Sequence, residues 1–231
     1  MIDFENEHLA MIERRVAVLT EIEKVLFTKR YRLSQKHLNI FTVQSIAMIY
    51  SIWEGYVQES FQLYIRYINS LNINFSELSD EIVVFHMDNS FKQFHQYPQK
   101  NTGKVKFYEG LKKHFLESHH QLYQRVDTES NLGFDVLNKL LSQFSLETLN
   151  ENWEQYRKPN TNLKEMMSDL LRYRNGVAHG GDISSEEKVT QTVYNKYRQL
   201  VNDLMYEMHN RFMLGIENET YRKKSIECVD S

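Results

Sequence analysis

Residues 46–68 read IAMIYSIWEGYVQESFQLYIRYI, a segment whose apolar side chains recur every three or four positions. This spacing is typical of one face of an α-helix. The stripe is formed by Ile46, Ile49, Tyr50, Trp53, Val57, Phe61, Tyr64 and Ile68. It predicts a long helix over residues 36–70 that buries one side against neighbouring helices.

The same periodicity predicts helices on both sides of this segment. A first helix is predicted over residues 3–30, and Ser76 or Ser79 could cap a short third helix. Asn131 precedes another short apolar helix, which runs to Phe144.

Two more helices are predicted in the last third of the chain. Thr161 or Asn162 caps the first, which ends at the glycines of residues 180–181, and residues 184–187 open the last long helix. Residues 93–104 form the clearest loop, since they contain a proline and an Asn-Thr-Gly turn sequence. Residues 105–126 are compatible with a helix or with partly irregular structure.

The composition favours an all-α protein. The 231 residues include only 8 Gly and 2 Pro, too few for the many turns of a β protein. We therefore predict a single-domain helical bundle over residues 1–214, with two long helices and several shorter ones. A charged C-terminal tail is predicted over residues 215–231.

Charge and cysteine content limit the partners. The formal net charge is −3, so contact with nucleic acid would need a local basic patch. A lone cysteine excludes an intrachain disulfide and a multi-cysteine zinc site, and no metal or cofactor is predicted. The basic residues that could follow an RNA backbone, or simply form a solvated face, are Lys104, Lys106, Lys112, Lys113 and Arg172.

No membrane association is predicted. The sequence contains no run of 18 apolar residues, and Asp3, Glu5 and Glu7 interrupt any signal peptide at its start. We expect a soluble, cytoplasmic protein.

The chemically informative stretch is residues 174–179, which read RNGVAH. Arg174, Asn175 and His179 lie within the last two turns of a predicted helix. An imidazole with a pKa near 6.5 can transfer a proton at neutral pH, and a guanidinium can hold a phosphate through paired hydrogen bonds. The spacing alone is weak evidence, because the chain has twelve arginines and nine histidines.

The position of Arg174 on the predicted helix adds to this evidence. On a helical wheel Arg174 falls near the middle of an apolar face, whereas Arg172, Asn175 and His179 share another side. That apolar face is formed by Leu163, Met167, Leu170, Leu171, Val177 and Ala178. A buried unpaired guanidinium costs several kcal/mol, so it needs a carboxylate, an anion or a solvent-filled cleft.

Glu54, at the margin of the long apolar stripe, is the predicted partner of Arg174. Such a pair could aim the guanidinium, or it could simply tie two helices together. His179 alone also has a simpler interpretation, as a histidine at a helix C-terminus where the dipole favours its charged form.

Residues 174–179 resemble the signature of the HEPN superfamily, an Arg followed by a polar residue, with a His four to six positions beyond the Arg. Residues 51–61 and 131–144 also resemble bacterial HEPN families of toxin–antitoxin and phage-defence loci. The likeness extends from about residue 37 to residue 213. It implies an all-α bundle that dimerises around the motif helix, so that two motifs face each other.

The resemblance further implies a metal-independent endoribonuclease. In it, His179 transfers protons, Arg174 clamps the phosphate and Asn175 is a supporting donor, while the 2′-OH attacks and leaves a 2′,3′-cyclic phosphate. The implied partners are RNA, a second copy of the chain and an antitoxin or other defence-system protein. The chain departs from one branch of the superfamily at Gly181. In that branch, whose members are silenced by a partner nucleotidyltransferase, a tyrosine occupies this position, two residues after the His.

Two other functions remain open. A HEPN-like module could bind RNA, a nucleotide or a protein without cutting, which the acidic net charge favours. A purely structural oligomer, with Arg174 and Glu54 as an interior tie, is the third possibility.

Overall fold

The computed structural model describes residues 2–28, 33–116, 121–153, 161–178 and 189–223. These residues contain seven α-helices: α1 Phe4–Phe27, α2 Gln35–Ser70, α3 Asp80–Ser90, α4 Asn101–Leu116, α5 Phe134–Gln143, α6 Leu163–Ala178 and α7 Gln191–Glu217. Short 3-10 turns occupy Phe75–Glu77 and Lys92–Phe94. Two short strands, β1 Asn152–Trp153 and β2 Thr161–Asn162, pair in antiparallel register. The predicted all-α class is confirmed.

The centre of the bundle is α2, which packs against α1, α6 and α7. All eight apolar residues of the predicted stripe are buried, at 2% exposure or less. Tyr56, Leu63 and Ile65 are buried as well, although they lie outside the stripe. Because helices pack on several sides of α2, its buried surface is broader than a single stripe predicts.

An extended segment, residues 121–132, runs along α2 in the opposite direction. The Leu122 N–H donates to the Asn69 side chain (2.9 Å), and the Leu132 N–H donates to the Tyr50 hydroxyl (2.7 Å). This arrangement settles the ambiguous region after residue 105, which is helical to Leu116 and irregular from residue 121. The predicted loop over residues 93–104 is wrong at both ends, where a 3-10 turn and the start of α4 lie.

The helix starts follow their capping residues. Ser79 occupies the N-cap position of α3, and the Asn162 side chain accepts a hydrogen bond from the Glu165 N–H (2.9 Å) at the start of α6, as predicted. The last helix begins later than predicted, at Gln191, because the Thr190 hydroxyl accepts from the Val193 N–H and caps it there. The predicted opening at residues 184–187 and the stop at residues 180–181 lie outside the described residues.

The predicted tail boundary at residue 215 is wrong. Gly215 is a buried residue inside α7, in close approach to Leu146 and Tyr64, so this glycine serves helix packing and does not end the helix. Beyond α7, Tyr221 is buried and its carbonyl accepts from the Ser79 N–H (2.8 Å). The packed structure therefore continues to residue 223.

No helix in these five described ranges has the length and apolar character needed to cross a bilayer.

A buried polar network joins α1, α2 and α7 at His8. His8 Nδ1 lies 3.0 Å from His209 Nδ1, and His8 Nε2 lies 2.8 Å from Ser60 Oγ and 3.0 Å from the Tyr56 hydroxyl. Both hydroxyls donate to backbone carbonyls, those of Tyr56 and Met205, so they accept from His8 Nε2–H. His8 Nδ1 then accepts from His209, which leaves no site for a second proton on His8.

Burial in this network, together with the smaller effects of the charges of His209 and Arg15, lowers the pKa of His8 to about 3. Burial also lowers the pKa of His209, against the opposing charge of Glu5. As the pH falls, the unfolded chain therefore becomes protonated at His8 and His209 at a higher pH than the folded chain does. The contribution of these histidines to the free energy of unfolding is fully present above the ordinary histidine pKa of 6.5, and it is lost as the pH falls toward 3.

We expect the free energy of unfolding to decrease by about 2 kcal/mol from His8 alone between pH 7 and pH 5, because the folded protein cannot accept the proton. Urea denaturation at the two pH values measures the change. His8→Gln should lower stability at pH 7 and reduce the pH dependence, whereas His95→Gln, at an exposed histidine, should leave both unchanged. An equal pH dependence in all three proteins would contradict this origin.

Candidate active site

The motif helix α6 is oriented by its buried face. Leu163, Met167 and Leu170 are buried, and Tyr173 continues this face with its ring edge-on to Tyr197 (5.6 Å between centroids). This packing against α2 leaves the last turn of α6 with residues 174–177 only partly buried. His179, the predicted proton-transfer residue, lies outside the described residues.

Arg174 is half-buried at the edge of the helix interface. Around the helix Arg174 falls between the buried Leu170 and Met167, as the wheel predicts, but it lies near the end of α6, where its side chain is only partly buried. The Arg174 guanidinium carbon lies 5.2 Å from the centroid of the Tyr50 ring, and Nη1 donates to Asn175 Oδ1 (2.8 Å). A cation over an aromatic face is stabilised by the ring quadrupole, so Tyr50 holds this charge without neutralising it.

The predicted ion pair between Glu54 and Arg174 is absent from the described part of the chain, where no carboxylate lies within 4.0 Å of the Arg174 guanidinium. Glu54 Oε1 instead accepts from the Thr128 hydroxyl (2.9 Å) and from the Tyr50 hydroxyl (3.4 Å). Glu54 therefore joins the segment 121–132 to α2. Its connection to Arg174 runs through Tyr50.

Tyr50 links these groups because it uses both ends of its side chain. Its hydroxyl accepts from the Leu132 N–H and donates to Glu54, while its ring contacts Arg174. Burial, together with the negative charge of Glu54, raises the pKa of Tyr50 to about 12. The hydrogen bond from the Leu132 N–H and the charge of Arg174 oppose this shift. The phenol thus stays protonated at neutral pH and keeps its donor.

Arg172 lies on the exposed side of α6. Its guanidinium is 3.7 Å from the Asp169 carboxylate and 5.3 Å from the Tyr173 ring centroid. It does not share the environment of Arg174, which faces α2. The two arginines of the motif region therefore present their charges on different sides of one helix.

Tyr50 and Thr128 belong to the site but were not among the residues predicted for it. Tyr50 was placed in the core stripe, but it stands four residues before Glu54, a spacing that puts both side chains on one face of a helix. That spacing could have suggested a hydrogen bond. Thr128 has no comparable signal, because its position depends on the path of an irregular segment.

The arrangement is suited to binding an anion. The guanidinium of Arg174 has five N–H donors, and among the described residues only one bond uses them, the one to Asn175. The remaining donors can take the oxygens of a phosphate, and no described carboxylate competes for them. The described residues hold no group of three or more His, Cys, Asp and Glu side chains arranged for a metal ion.

Comparison with known proteins gives one match. The model of the MAE_28990-like HEPN family matches residues 6–221, which includes both α2 and the motif. Neither the curated proteins nor the solved structures gave a match.

We expect Tyr50→Phe to lower the free energy of unfolding by about 1–3 kcal/mol, because it leaves the buried Leu132 N–H without its acceptor. The ring under Arg174 is retained. Urea denaturation measures the loss, with the exposed Tyr206→Phe as the matched control. Equal stability of the two variants would show that the Tyr50 hydroxyl does not hold the segment 121–132.

Proposed function

Because this chain belongs to the MAE_28990-like HEPN family, we propose that it is a metal-independent endoribonuclease that uses Arg174, Asn175 and His179. HEPN proteins are generally associated with ribonuclease activity. The observation that carries the proposal is the Arg174 guanidinium, which is held over Tyr50 with most of its donors unused by the described residues.

The proposed reaction is an internal transfer at an RNA phosphate. The 2′-oxygen forms a bond to phosphorus, the bond from phosphorus to the 5′-oxygen breaks, and the products are a 2′,3′-cyclic phosphate and a 5′-hydroxyl. A base removes the proton of the 2′-OH, and an acid supplies a proton to the leaving oxygen. Arg174 stabilises the negative charge that develops on the other phosphate oxygens.

One chain supplies one motif, but the reaction needs both an acid and a base. We propose that a homodimer brings two copies of the motif together, so that His179 of each chain contributes one imidazole. A histidine is suited to both roles near neutral pH because its ordinary pKa is about 6.5. Asn175, which accepts a hydrogen bond from Arg174, would orient the guanidinium toward the phosphate.

The biological setting that fits is a toxin or a phage-defence effector, controlled by an antitoxin or another defence-system protein. Control by adenylylation of a tyrosine two residues after His179 does not fit this chain. Residue 181 is a glycine, which has no hydroxyl to modify. The controlling partner would instead have to cover the site or oppose dimer formation.

We expect His179→Ala and Arg174→Ala each to reduce cleavage of total RNA in the presence of EDTA by about 10²–10⁴-fold, because each removes a proton-transfer group or a charge stabiliser. Gel analysis of the RNA fragments and of their cyclic phosphate ends measures the loss. Matched controls are His95→Ala and Arg222→Ala; the Arg222 side chain pairs with Glu77 and Glu219.

Equal cleavage by the wild type and both motif variants would remove the nuclease assignment. RNA binding without cleavage by any of the proteins would instead support a non-catalytic HEPN-like binding module.

We expect Asn175→Asp to reduce cleavage more than Asn175→Ala. The aspartate would place a carboxylate where the Asn175 Oδ1 now accepts from Arg174, 2.8 Å away, and would compete with the phosphate for the guanidinium. The alanine removes only the orienting bond. Initial rates on one fluorogenic RNA substrate compare the variants, and a lower rate for Asn175→Ala would contradict a phosphate-binding role for Arg174.

A further inference from the structure

A second surface of the molecule, distant from the motif, carries an unusual concentration of positive charge. We call residues 91–116, which contain the 3-10 turn Lys92–Phe94 and helix α4, the arm. The arm contains six lysines and one glutamate, whereas the rest of the chain has 22 basic and 30 acidic residues. The net charge of −3 thus combines a strongly basic arm with an acidic body.

Most of this charge has no carboxylate partner within the part of the chain that the structure describes. Among the described residues, five of the six lysines form no ion pair: Lys92, Lys100, Lys104, Lys106 and Lys112. Five adjacent unpaired cations repel one another, so their clustering favours an anionic partner.

The arm also exposes aromatic rings. Phe94, Tyr97, Tyr108 and Phe115 are between 47% and 68% exposed. They do not fill the core, because helix α4 has no buried residue. Within the arm the Phe107 ring lies 5.3 Å from Phe94 and 6.2 Å from Phe91, and toward the body one edge of the Phe115 ring contacts Phe75 (5.9 Å between centroids). An exposed ring costs free energy in water, which a stacked base would recover.

Cations and rings alternate along one flank of α4. Lys104, Tyr108, Lys112 and Phe115 fall within about 80° of the helical wheel, at a rotation of about 100° per residue. The Lys104 ammonium also lies 5.4 Å from the centroid of the Tyr97 ring. Lysines that can follow a phosphate backbone, interleaved with rings that can stack on bases, are typical of surfaces that bind single-stranded nucleic acid.

We propose that the arm binds a single-stranded segment of the RNA substrate, an inference that rests on the proposed nuclease function for the identity of the RNA. The lysines neutralise phosphates, and Tyr108 and Phe115 stack on bases without reading their sequence. A protein partner with an apolar groove is the other class of ligand, but the excess of unpaired lysine favours RNA.

The arm lies far from the motif. Leu122 contacts Asn69 and Tyr123 contacts His86, whose ring stacks on His114 of α4, so the arm is attached at the C-terminal end of α2. Arg174 lies over Tyr50, which stands nineteen residues before Asn69 on α2. Tyr50 and Asn69 are therefore about 28 Å apart along the helix axis. The two surfaces could therefore hold one RNA strand at separate points. The arm would then raise the affinity for RNA without contacting the phosphate that is cleaved.

The test is the affinity of a 5′-fluorescein-labelled 20-nucleotide RNA without secondary structure, measured by fluorescence anisotropy in the His179→Ala protein so that nothing is cut. Two double variants are added to it, Lys104→Gln with Lys112→Gln, and Tyr108→Ala with Phe115→Ala. The control double variant, Lys139→Gln with Lys196→Gln, removes two exposed lysines outside the arm.

We expect the arm lysine variant to weaken binding and to reduce the slope of log K against log salt by about 1.4, which corresponds to two phosphate contacts on a single strand. The aromatic variant should weaken binding at least about fivefold for each ring that is lost. The control variant should bind as tightly as its parent. The control and lysine variants should keep the parent melting temperature, and the aromatic variant, which also loses the contact between Phe115 and Phe75 (5.9 Å between centroids), should remain folded at the assay temperature by circular dichroism.

Unchanged RNA affinity in both arm variants would overturn the proposal. So would a change in molecular mass by light scattering without a change in affinity, since that result assigns the arm to contact between protein copies. Loss of affinity in the arm variants, combined with no RNA cleavage by the wild-type protein, would retain the arm as an RNA-binding surface and remove only the nuclease function.

Discussion

The hydrogen bond from the Leu132 N–H to the Tyr50 hydroxyl connects the core of the bundle to its candidate site. Tyr50 belongs to the buried face of α2, and its ring also carries the Arg174 guanidinium. The same hydroxyl donates to Glu54, which accepts from Thr128. One side chain thus fixes the segment 121–132, the carboxylate and the cation. A group that must be rigid is built on the central helix, where rotamers are constrained by packing.

Hydrophobic periodicity was sufficient to predict the helical class and the position of α2, because every residue of the apolar stripe is buried, although the buried surface of α2 is broader than the stripe. Helix ends were less predictable. Thr190 and the serines of residues 184–185 are equally good capping residues by type, so the sequence does not decide between them; in the structure Thr190 caps α7, directly after the buried Val189. Gly215 was assigned to a tail because glycine often follows a helix. Its actual role, close approach to Leu146, depends on an element 70 residues away.

The motif could be recognised from its residue types, but its surroundings could not. The wheel identifies Arg174 as an anomaly on an apolar face, and charge complementarity then points to Glu54. The structure satisfies the guanidinium with a ring and an amide. This difference has a physical cause: an ion pair would neutralise Arg174, whereas a ring and a neutral amide orient its charge and leave it available.

The separation of charge between the arm and the body has a consequence for a ribonuclease with a negative net charge. An acidic body repels RNA over a Debye length of about 8 Å at physiological ionic strength, so weak contacts over most of the surface are suppressed. The basic arm, attached at the C-terminal end of α2, then provides a local attraction away from Arg174. RNA that is long enough to reach both surfaces gains from this arrangement, and short RNA does not. The length of the strand, more than its sequence, would decide which RNA is bound.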